Sequence, residues 1–451
     1  MKIIIVGCGK IGAALAGRLA GEGHDVTVVD ALPEVVDRMT NACDVMGIVG
    51  NGADSDVLNE SGAAEADLFI SVTGSDELNM LACFLAKKFG SKHTVARIRN
   101  PEYNDASLEF LKKQLSLSVA VNPDRLAANE IYNILRLPSA VGIERFSGGL
   151  EMVELKLKDD SVLDGMTLLQ LRTAYSAKIL VCCVCRGDEV IIPGGSFALK
   201  SGDRIGITGA QTEVQKFLRE VKLLQKKSKS VMILGGSRIA YYLAEKVRAS
   251  GGAVKIIEQD KKSCEELCEL LPGCEIINAN GSEQDVLIEE GLLSCDAFVS
   301  LTGFDELNIL SSIFAQSENV PKVVAKINGD NFVKMGGRLG LDSVVYPEDS
   351  VSDVITSYVR ALDKSGAGKV EMLYELFDEK VEAAEFTAGN EFRAIGQPLK
   401  KLNLKKNMLI AGIIRSGKAI IPGGNDFITA GDRVIVISGG NRLVDLDDIL
   451  A

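Results

Sequence analysis

The residues with the clearest chemical potential are three glycines near the N-terminus. Gly7, Gly9 and Gly12 form a Gly-x-Gly-x-x-Gly loop between the apolar run 2–6 and a helical stretch at 10–21. At this spacing the first glycine allows a tight turn, the second lets the main chain approach a pyrophosphate, and the third lets the helix pack closely on the sheet. The N–H groups at the start of the helix then point at the phosphates. The spacing therefore predicts a nucleotide-binding loop.

An acidic residue completes the pattern. Asp30 lies 18 residues beyond Gly12, at the end of the predicted second strand, 26–30. A carboxylate at this place accepts hydrogen bonds from an adenosine ribose, and its charge repels a 2′-phosphate. The sequence therefore favours NAD(H) over NADP(H). ATP and ADP present the same ribose, so the choice between NAD(H) and these nucleotides stays open.

Further polar residues follow neighbouring strands. Thr73 and Gly74 come after the fourth predicted strand, Arg97 lies near the end of the fifth, and Asn51 ends the third. Ligands of such sheets bind at the carboxyl ends of the strands, so these residues are candidates for the same crevice. A helix cap or a surface charge is the alternative role for each polar residue.

The chain is a duplicated unit. Three ordered blocks match at an offset of 228 or 229: 6–12 with 234–240, 51–79 with 280–308 (16 of 29 positions identical), and 191–195 with 420–424. Three blocks in the same order at nearly one offset indicate two copies of one unit of about 220 residues.

The second copy of the glycine loop departs from the first. Gly235 and Glu258 keep the first glycine and the acid, whereas Ser237 and Ala240 replace the second and third glycines. A Cβ at position 237 would crowd the path of a pyrophosphate. Ligand binding in the second copy therefore stays open, and a mononucleotide or a shifted dinucleotide is the alternative ligand.

Cations repeat in both copies. Lys10 and Arg238 occupy equivalent positions inside the two glycine loops, from which they could reach a terminal phosphate. Arg97 of the first copy corresponds to Lys326 of the second. The repetition favours a binding role over a surface charge.

Strand and helix alternate in the first part of each copy. In the first copy we predict strands at 2–6, 26–30, 45–49, 68–72 and 94–98. Asp54 or Ser55 would cap a short helix, and Ser75 would cap a longer helix that ends at Gly90. Apolar strands that alternate with helices indicate a parallel sheet covered on both faces. The expected fold is a Rossmann-like, doubly wound α/β domain.

The second part of each copy has a different pattern. Residues 151–209 and 382–438 carry short alternating strands, a Pro-Gly-Gly turn and a Leu-rich helix, which holds Leu168, Leu169 and Leu171 in the first copy and Leu399 and Leu402 in the second. This pattern predicts a small α+β lobe. Pro123 and Pro347 each open an amphipathic stretch that predicts a connecting helix. The expected Rossmann-like lobes are 1–121 and 228–346, and the expected connectors are 122–150 and 347–370. The expected α+β lobes are 151–225 and 371–451. The lysine-rich run 226–229 marks the boundary between the two copies.

Composition excludes several classes of protein. The 451 residues carry 50 Lys and Arg against 62 Asp and Glu, a net charge of −12, which disfavours nucleic-acid binding. No apolar run approaches the ~18–20 residues that span a bilayer, and the N-terminus lacks a secretory signal pattern. The sequence therefore predicts a cytoplasmic chain without a transmembrane segment.

Cysteine spacing does not indicate a metal site. Cys182, Cys183 and Cys185 lie in a strand-like stretch, and Cys264 and Cys268 lie one helical turn apart. We expect reduced thiols that behave as small buried hydrophobes, and neither a metal nor a redox site.

Residues for catalysis are scarce. The only histidines, His24 and His93, lie in or beside turns that precede strands, and the Tyr-x-x-x-Lys spacing at Tyr242 and Lys246 falls on the helix after the second glycine loop. Binding of a nucleotide without means to transform it indicates regulation. An NAD-dependent oxidoreductase acting on a small metabolite and a nucleotide sensor with another partner are the alternatives.

The combined motifs resemble the RCK (KTN) family, whose domains regulate potassium conductance. The resemblance rests on the glycine loop with its acid, on residues 73–79, TGSDELN, and on residues 96–103, ARIRNPEY. It implies a regulatory subunit, peripheral on the inner face of the membrane, that docks on a membrane potassium transporter as a homo-oligomeric ring of lobes. It also implies binding of NAD(H), ATP or ADP. By position, the first site comprises Gly7, Cys8, Gly9, Lys10, Ile11, Gly12, Asp30, Asn51, Thr73, Gly74 and Arg97, and the second comprises Gly235, Gly236, Ser237, Arg238, Ile239 and Glu258.

Overall fold

The computed structural model describes most of the chain: residues 1–103, 105–159, 161–187, 189–223, 228–329, 332, 339–341, 343–363, 370–377, 380–440, 443 and 445–451. Lys226 and Lys227 of the predicted boundary lie outside these residues. The residue boundaries of the six expected segments stay a prediction, and the helices and strands are given below as the structure has them.

The first lobe is a six-stranded parallel sheet with helices on both faces. The strand order is β3-β2-β1-β4-β5-β6, which is the order of a Rossmann fold. Its strands are β1 Lys2–Val6, β2 Asp25–Asp30, β3 Met46–Val49, β4 Leu68–Ser71, β5 His93–Arg97 and β6 Val119–Val121, and its helices are α1 Lys10–Gly21, α2 Pro33–Ala42, α3 Ser55–Glu60, α4 Asp76–Phe89 and α5 Asp105–Leu115. We call this unit the first Rossmann lobe.

Local signals in the sequence set the bounds of these helices. Asp54 caps α3 by accepting hydrogen bonds from the N–H groups of Asp56 and Val57. Ser75 caps α4, which ends at Gly90. The predicted caps are therefore confirmed. Strand β6 was not predicted, because three residues are too few to show a period of burial.

The first C-terminal lobe follows a connecting helix. The helix α6, Pro123–Arg136, leads to an antiparallel sheet of order β10-β9-β11-β8-β7. Its elements are β7 Ala140–Arg145, β8 Leu150–Lys156, α7 Leu168–Ala174, β9 Ile179–Arg186, β10 Glu189–Ile191, β11 Arg204–Ala210 and α8 Gln211–Glu220. The helix ends at Arg136 because Pro138 disfavours helical backbone at the residue before it, and β7 joins the next sheet.

The second copy repeats this arrangement. Its parallel sheet has the order β14-β13-β12-β15-β16-β17, and its antiparallel sheet has the order β18-β19-β22-β20-β21. The strands are β12 Ser230–Leu234, β13 Ala253–Glu258, β14 Glu275–Asn278, β15 Ala297–Ser300, β16 Lys322–Lys326, β17 Val344–Val345, β18 Val370–Leu376, β19 Val381–Thr387, β20 Met408–Arg415, β21 Lys418–Ile420 and β22 Arg433–Gly439. The described helices are α9 Arg238–Ala249, α10 Lys261–Leu270, α11 Gln284–Glu289, α12 Asp305–Ser317 and the connecting helix α13 Pro347–Asp363. The predicted tandem of Rossmann-like and α+β lobes is confirmed.

Two details of the sequence-based prediction are wrong. The Leu-rich helix of the second copy is only a 3-10 turn, Leu399–Lys401. The equivalent helix α7 starts with a capping box between Thr167 and Gln170, whereas Pro398 stands in place of the threonine and offers no side-chain acceptor. Cys268 is exposed, unlike the other cysteines named above, because the buried face of α10 passes through Cys264 and Leu267.

The two connecting helices are exchanged between the copies. Ile131 of α6 shares a buried core with Leu243 of α9, in the second Rossmann lobe. Ile355 of α13 shares a buried core with Leu15 of α1, in the first. The two C-terminal lobes also pack face to face, and Thr208 donates a hydrogen bond to the carbonyl of Ala411 at 2.9 Å. Each half therefore completes its core with residues of the other.

Candidate functional site

The first glycine loop is tight at both ends and open in the middle. Gly7 has φ +91°, and a Cβ there would lie 2.8 Å from the main-chain nitrogen of Thr73. A Cβ at Gly12 would lie 1.9 Å from the carbonyl oxygen of Gly7. A Cβ at Gly9, in contrast, would meet no heavy atom of the described residues within 4 Å. The loop therefore leaves free space at the position where a pyrophosphate binds in such folds.

The start of helix α1 faces this space. Gly9 is the N-cap residue and has no side chain that could accept the N–H groups of the first turn. Uncapped N–H groups together with the helix dipole attract an anion. The geometry of the loop thus fits a phosphate group.

The acid of the second strand is fixed against the loop. Oδ2 of Asp30 accepts a hydrogen bond from the Cys8 N–H at 2.7 Å, and Oδ1 accepts one from the Leu32 N–H at 3.0 Å. A carboxylate has further lone pairs, so Asp30 can still accept hydrogen bonds from a ribose. Burial, with a contribution from Asp30, raises the pKa of the Cys8 thiol to about 12. Cys8 therefore stays a thiol, and only its main chain faces the site.

A buried asparagine joins the ends of β4 and β5. Oδ1 of Asn79 accepts hydrogen bonds from N–H and Oγ1 of Thr73 at 2.8 and 2.7 Å, and its Nδ2 donates to the Arg97 carbonyl at 2.9 Å. Asn79 thereby sets the positions of two predicted site residues. The sequence analysis did not select it, although its repetition as Asn308 was a usable signal.

Arg97 presents a donor without a partner. One of its Nη atoms donates to the Thr73 carbonyl, while its buried Nε has no hydrogen-bond partner in the described part of the chain. Burial lowers the pKa of this guanidinium, and Arg99 lowers it further. A half-buried cation with an unsatisfied N–H group is suited to a phosphate oxygen.

The remaining predicted residues of the first site differ in what they can offer. A Cβ at Gly74 would point into space free of described atoms within 4 Å. Oδ1 of Asn51 accepts a hydrogen bond from the Ala53 N–H at 3.0 Å, which is the local turn role that the sequence left as an alternative. Ile11 is buried in the core of the lobe, so its main chain alone is available to a ligand.

The second copy keeps the acid and the asparagine. Oε2 of Glu258 accepts a hydrogen bond from the Gly236 N–H at 2.7 Å, as Asp30 does from Cys8. Asn308 forms hydrogen bonds with Thr302 and with the Lys326 carbonyl, at distances of 2.7 to 3.2 Å. Burial lowers the pKa of the Lys326 ammonium.

The loop itself differs between the copies. Gly235 has φ +97°, like Gly7. Ser237 caps helix α9, and its Oγ accepts a hydrogen bond from the Ala240 N–H at 3.4 Å. Ile239 is buried. The start of the second helix therefore carries its own side-chain acceptor.

The carboxyl edges of the two parallel sheets face each other. Nζ of Lys10 donates to the Asn328 carbonyl at 2.9 Å and lies 3.8 Å from Oε1 of Glu348 at the start of α13. Arg238 lies close enough to Arg97 for its charge to lower the pKa of that guanidinium. Both loop cations thus point toward the opposite half.

Comparison with known families agrees with this geometry. A model described as the TrkA-N domain matches residues 3–123 and 231–347, and a model described as the TrkA-C domain matches residues 152–222 and 383–451. Together these matches cover most of the chain. The chain belongs to the TrkA family.

Its relatives in the TrkA family span the full length. A Trk system potassium uptake protein TrkA homolog of Methanosarcina mazei is 30% identical, with 97% of each chain covered. A homolog of Archaeoglobus fulgidus is also 30% identical, with 100% of each chain covered. The solved GsuK channel bound to NAD superposes with a TM-score of 0.63 over 97% of this chain and 76% of that one. At a sequence identity of 16%, this superposition shows a shared fold alone.

The residues that the sequence analysis considered for catalysis have other contacts in this TrkA-family chain. The Tyr242 hydroxyl accepts a hydrogen bond from Nδ2 of Asn122 at 3.1 Å, and Nζ of Lys246 lies 5.9 Å from the ring centre of Tyr132. His93 opens β5, at the amino edge of the sheet and away from the glycine loop, and its Nδ1 lies 3.1 Å from the Tyr358 hydroxyl. Within the described ranges, no helix has the length and apolar character needed to cross a membrane.

Proposed function

We propose that this chain is a nucleotide-binding regulatory subunit of a membrane potassium uptake system. The observation that carries the proposal is the open space at Gly9, at the uncapped start of α1, in a chain of the TrkA family. The unpaired Nε of Arg97, whose guanidinium contacts the Thr73 carbonyl, adds a donor at the carboxyl edge of the same sheet. A loop with this opening and this donor has the chemistry of a phosphate site, and the relatives are named potassium uptake proteins.

NAD(H) is the ligand we propose for the first crevice. The N–H groups at residues 9–12 would hold the pyrophosphate, Asp30 the adenosine ribose, and Thr73, Gly74 and Arg97 the remaining phosphate oxygens. The charge of Asp30 disfavours the 2′-phosphate of NADP(H). ATP and ADP carry the same ribose and compete for this place. The GsuK channel, which shares the fold, has been solved bound to NAD and bound to ADP, and both structures support a nucleotide as the ligand.

The proposed partner is a potassium transporter subunit of the membrane. The chain would lie at the inner face as a peripheral subunit, within a ring of several copies. Exposed apolar residues at equivalent positions of two helices support the ring: Leu81 of α4 is 50% exposed, and Leu310 of α12 is 66% exposed. Large apolar side chains repeated at one place in both copies suit burial between neighbouring chains.

Regulation would act through the exchanged helices. Lys10 of the first loop already contacts the second half, at Asn328 and Glu348. A phosphate near Lys10 would compete for its ammonium group and so favour one arrangement of the halves. A difference in affinity of about 1–3 kcal/mol between two arrangements corresponds to a shift of about 5- to 150-fold.

The alternative is an NAD-dependent oxidoreductase. It requires a proton donor or acceptor near the nicotinamide, whereas His93, one of the two histidines, lies at the amino edge of the sheet, away from the glycine loop. Oxidation of NADH by the pure protein with a panel of metabolites would favour this alternative over regulation.

Calorimetric titration of the full chain tests the proposed site. Wild type should bind NAD or NADH, Asp30→Ala should weaken the affinity at least tenfold, and Asp25→Ala, at the opposite end of β2, should not change it. Potassium flux through proteoliposomes that contain the transporter should then respond to the nucleotide only when the chain is added. Equal affinities of wild type and Asp30→Ala would contradict the proposed site.

A further inference from the structure

The two glycine loops differ at the position that decides whether a pyrophosphate fits. In the first loop, position 9 has no side chain, and the space beside it is free of described atoms within 4 Å. In the second loop, the equivalent Ser237 places a Cβ at this position and turns its hydroxyl to the N–H of Ala240. The hydroxyl occupies a donor that would otherwise bind a phosphate oxygen.

The third loop position shows that the two loops also differ in main-chain path. A Cβ at Gly12 would come within 1.9 Å of the Gly7 carbonyl oxygen. Ala240 carries this Cβ and is fully buried. The second loop therefore cannot keep the close approach of loop and helix found in the first.

The middle of the second loop packs against the side chains of Leu267 and Glu258. A Cβ at Gly236 would lie 2.6 Å from Cδ1 of Leu267 and 3.1 Å from Cγ of Glu258. In the first loop the same place holds Cys8, whose side chain is buried in the core. The side chain of Glu258 is longer than that of Asp30, and it occupies part of the place that the Cys8 side chain takes in the first loop.

We infer that each chain binds one dinucleotide, in the first crevice, and that Ser237 closes the second crevice to a pyrophosphate. This inference rests on the proposed function, because it assumes that the first crevice binds NAD. The duplication then separates two roles. The first Rossmann lobe binds the ligand, and the second provides Asn328, whose carbonyl accepts a hydrogen bond from Lys10.

The test is the number of NAD molecules bound per full-length chain, measured by titration calorimetry. Wild type should bind one. The double variant Ser237→Gly/Ala240→Gly, which restores the glycines of the first loop, should bind two. Ser237→Ala, which removes the hydroxyl but keeps the Cβ, should still bind one. The reverse change, Gly9→Ser, should weaken binding by about tenfold or more.

The outcomes distinguish failure of this inference from failure of the proposed function. No binding by wild type would overturn both. Two NAD molecules per wild-type chain, or a double variant that folds and still binds one, would overturn only the inference.

Hydrogen–deuterium exchange of the wild type supplies a measurement that does not depend on a variant's folding. NAD should slow exchange of the amides at 8–12 and leave those at 236–240 unchanged. Equal protection of both loops would also overturn the inference.

Discussion

Arg360 of the second connecting helix binds Glu22 of the first Rossmann lobe, with Nη2 2.6 Å from Oε1. The same guanidinium lies 2.9 Å from Glu382 of the second C-terminal lobe. All three side chains are largely buried. One cation therefore joins three parts of the molecule.

Loss of this cation should destabilise the chain strongly. Arg360→Ala would remove a positive charge that two buried carboxylates share, and breaking such a group typically costs about 3–5 kcal/mol. Urea unfolding monitored by circular dichroism should show this loss, whereas Arg393→Ala, at an exposed ion pair with Asp447, should cost about 1 kcal/mol or less. Equal effects of the two variants would contradict a structural role for the buried group.

The equivalent arginine of the first connecting helix lacks one of these partners. Arg136 pairs with Glu151 at 2.7 Å, but Ser250 stands at the position equivalent to Glu22, and the buried Nε of Arg136 has no hydrogen-bond partner among the residues described. Ser250→Glu should therefore raise the free energy of unfolding by about 1 kcal/mol through a new charge-assisted hydrogen bond. Ser250→Gln is the uncharged control. A gain of equal size in both variants would assign the effect to packing instead of charge.

The contact between the connecting helices should depend on pH. Oε2 of Glu130 on α6 accepts a hydrogen bond from the Ser350 hydroxyl of α13 at 3.0 Å. Burial raises the pKa of Glu130 to about 7, the Ser350 hydrogen bond opposes the rise, and the charges of Asp349 and Asp353 add to it. Burial also raises the pKa of Glu144, and the charge of nearby Glu130 adds to that rise.

The direction of this pH effect follows from the raised pKa. Protonated Glu130 favours the folded state, so its contribution is complete below the unfolded pKa of 4.5 and is lost as pH rises through about 7. Because the Glu130 side chain is partly accessible to solvent, we expect the free energy of unfolding to fall by about 1–3 kcal/mol as this group loses its proton. Chemical unfolding from pH 5 to 8 should show a smaller loss in Glu130→Gln than in wild type. An unchanged pH profile in that variant would contradict the assignment.

Asn79 should affect ligand binding without contacting the ligand. Asn79→Ala removes the acceptor of the Thr73 N–H and the donor to the Arg97 carbonyl, so both residues should lose their fixed positions. We expect NAD affinity to fall about tenfold and stability to fall by about 1–3 kcal/mol. Asn308→Ala is the matched variant in the second copy. It should cost similar stability but weaken NAD binding less, as titration calorimetry of both variants would show.

The sequence was most informative where local chemistry decides structure. The alternation of apolar strands with helices predicted the two parallel sheets, and Asp54 and Ser75 cap the helices for which they were proposed. The 3-10 turn at Leu399–Lys401 departs from the prediction because leucine spacing indicates a buried face but does not supply a cap.

Long-range packing could not be predicted in the same way. The apolar face of α6 is visible in the sequence, but nothing in its spacing says that Ile131 packs against the other copy. The role of Asn79 was hidden for a related reason: its partners lie on β4 and β5, and their closeness depends on the order of strands in the sheet.

The exchange of connecting helices has a consequence during synthesis. The core around Leu15 is completed by Ile355, which leaves the ribosome about 340 residues later. At a synthesis rate of about 5–20 residues per second, an apolar face of the first half stays exposed to solvent for tens of seconds. Nascent chains of this protein should therefore depend on chaperones until α13 emerges, and a messenger truncated before codon 347 should yield an aggregating fragment in place of a stable half.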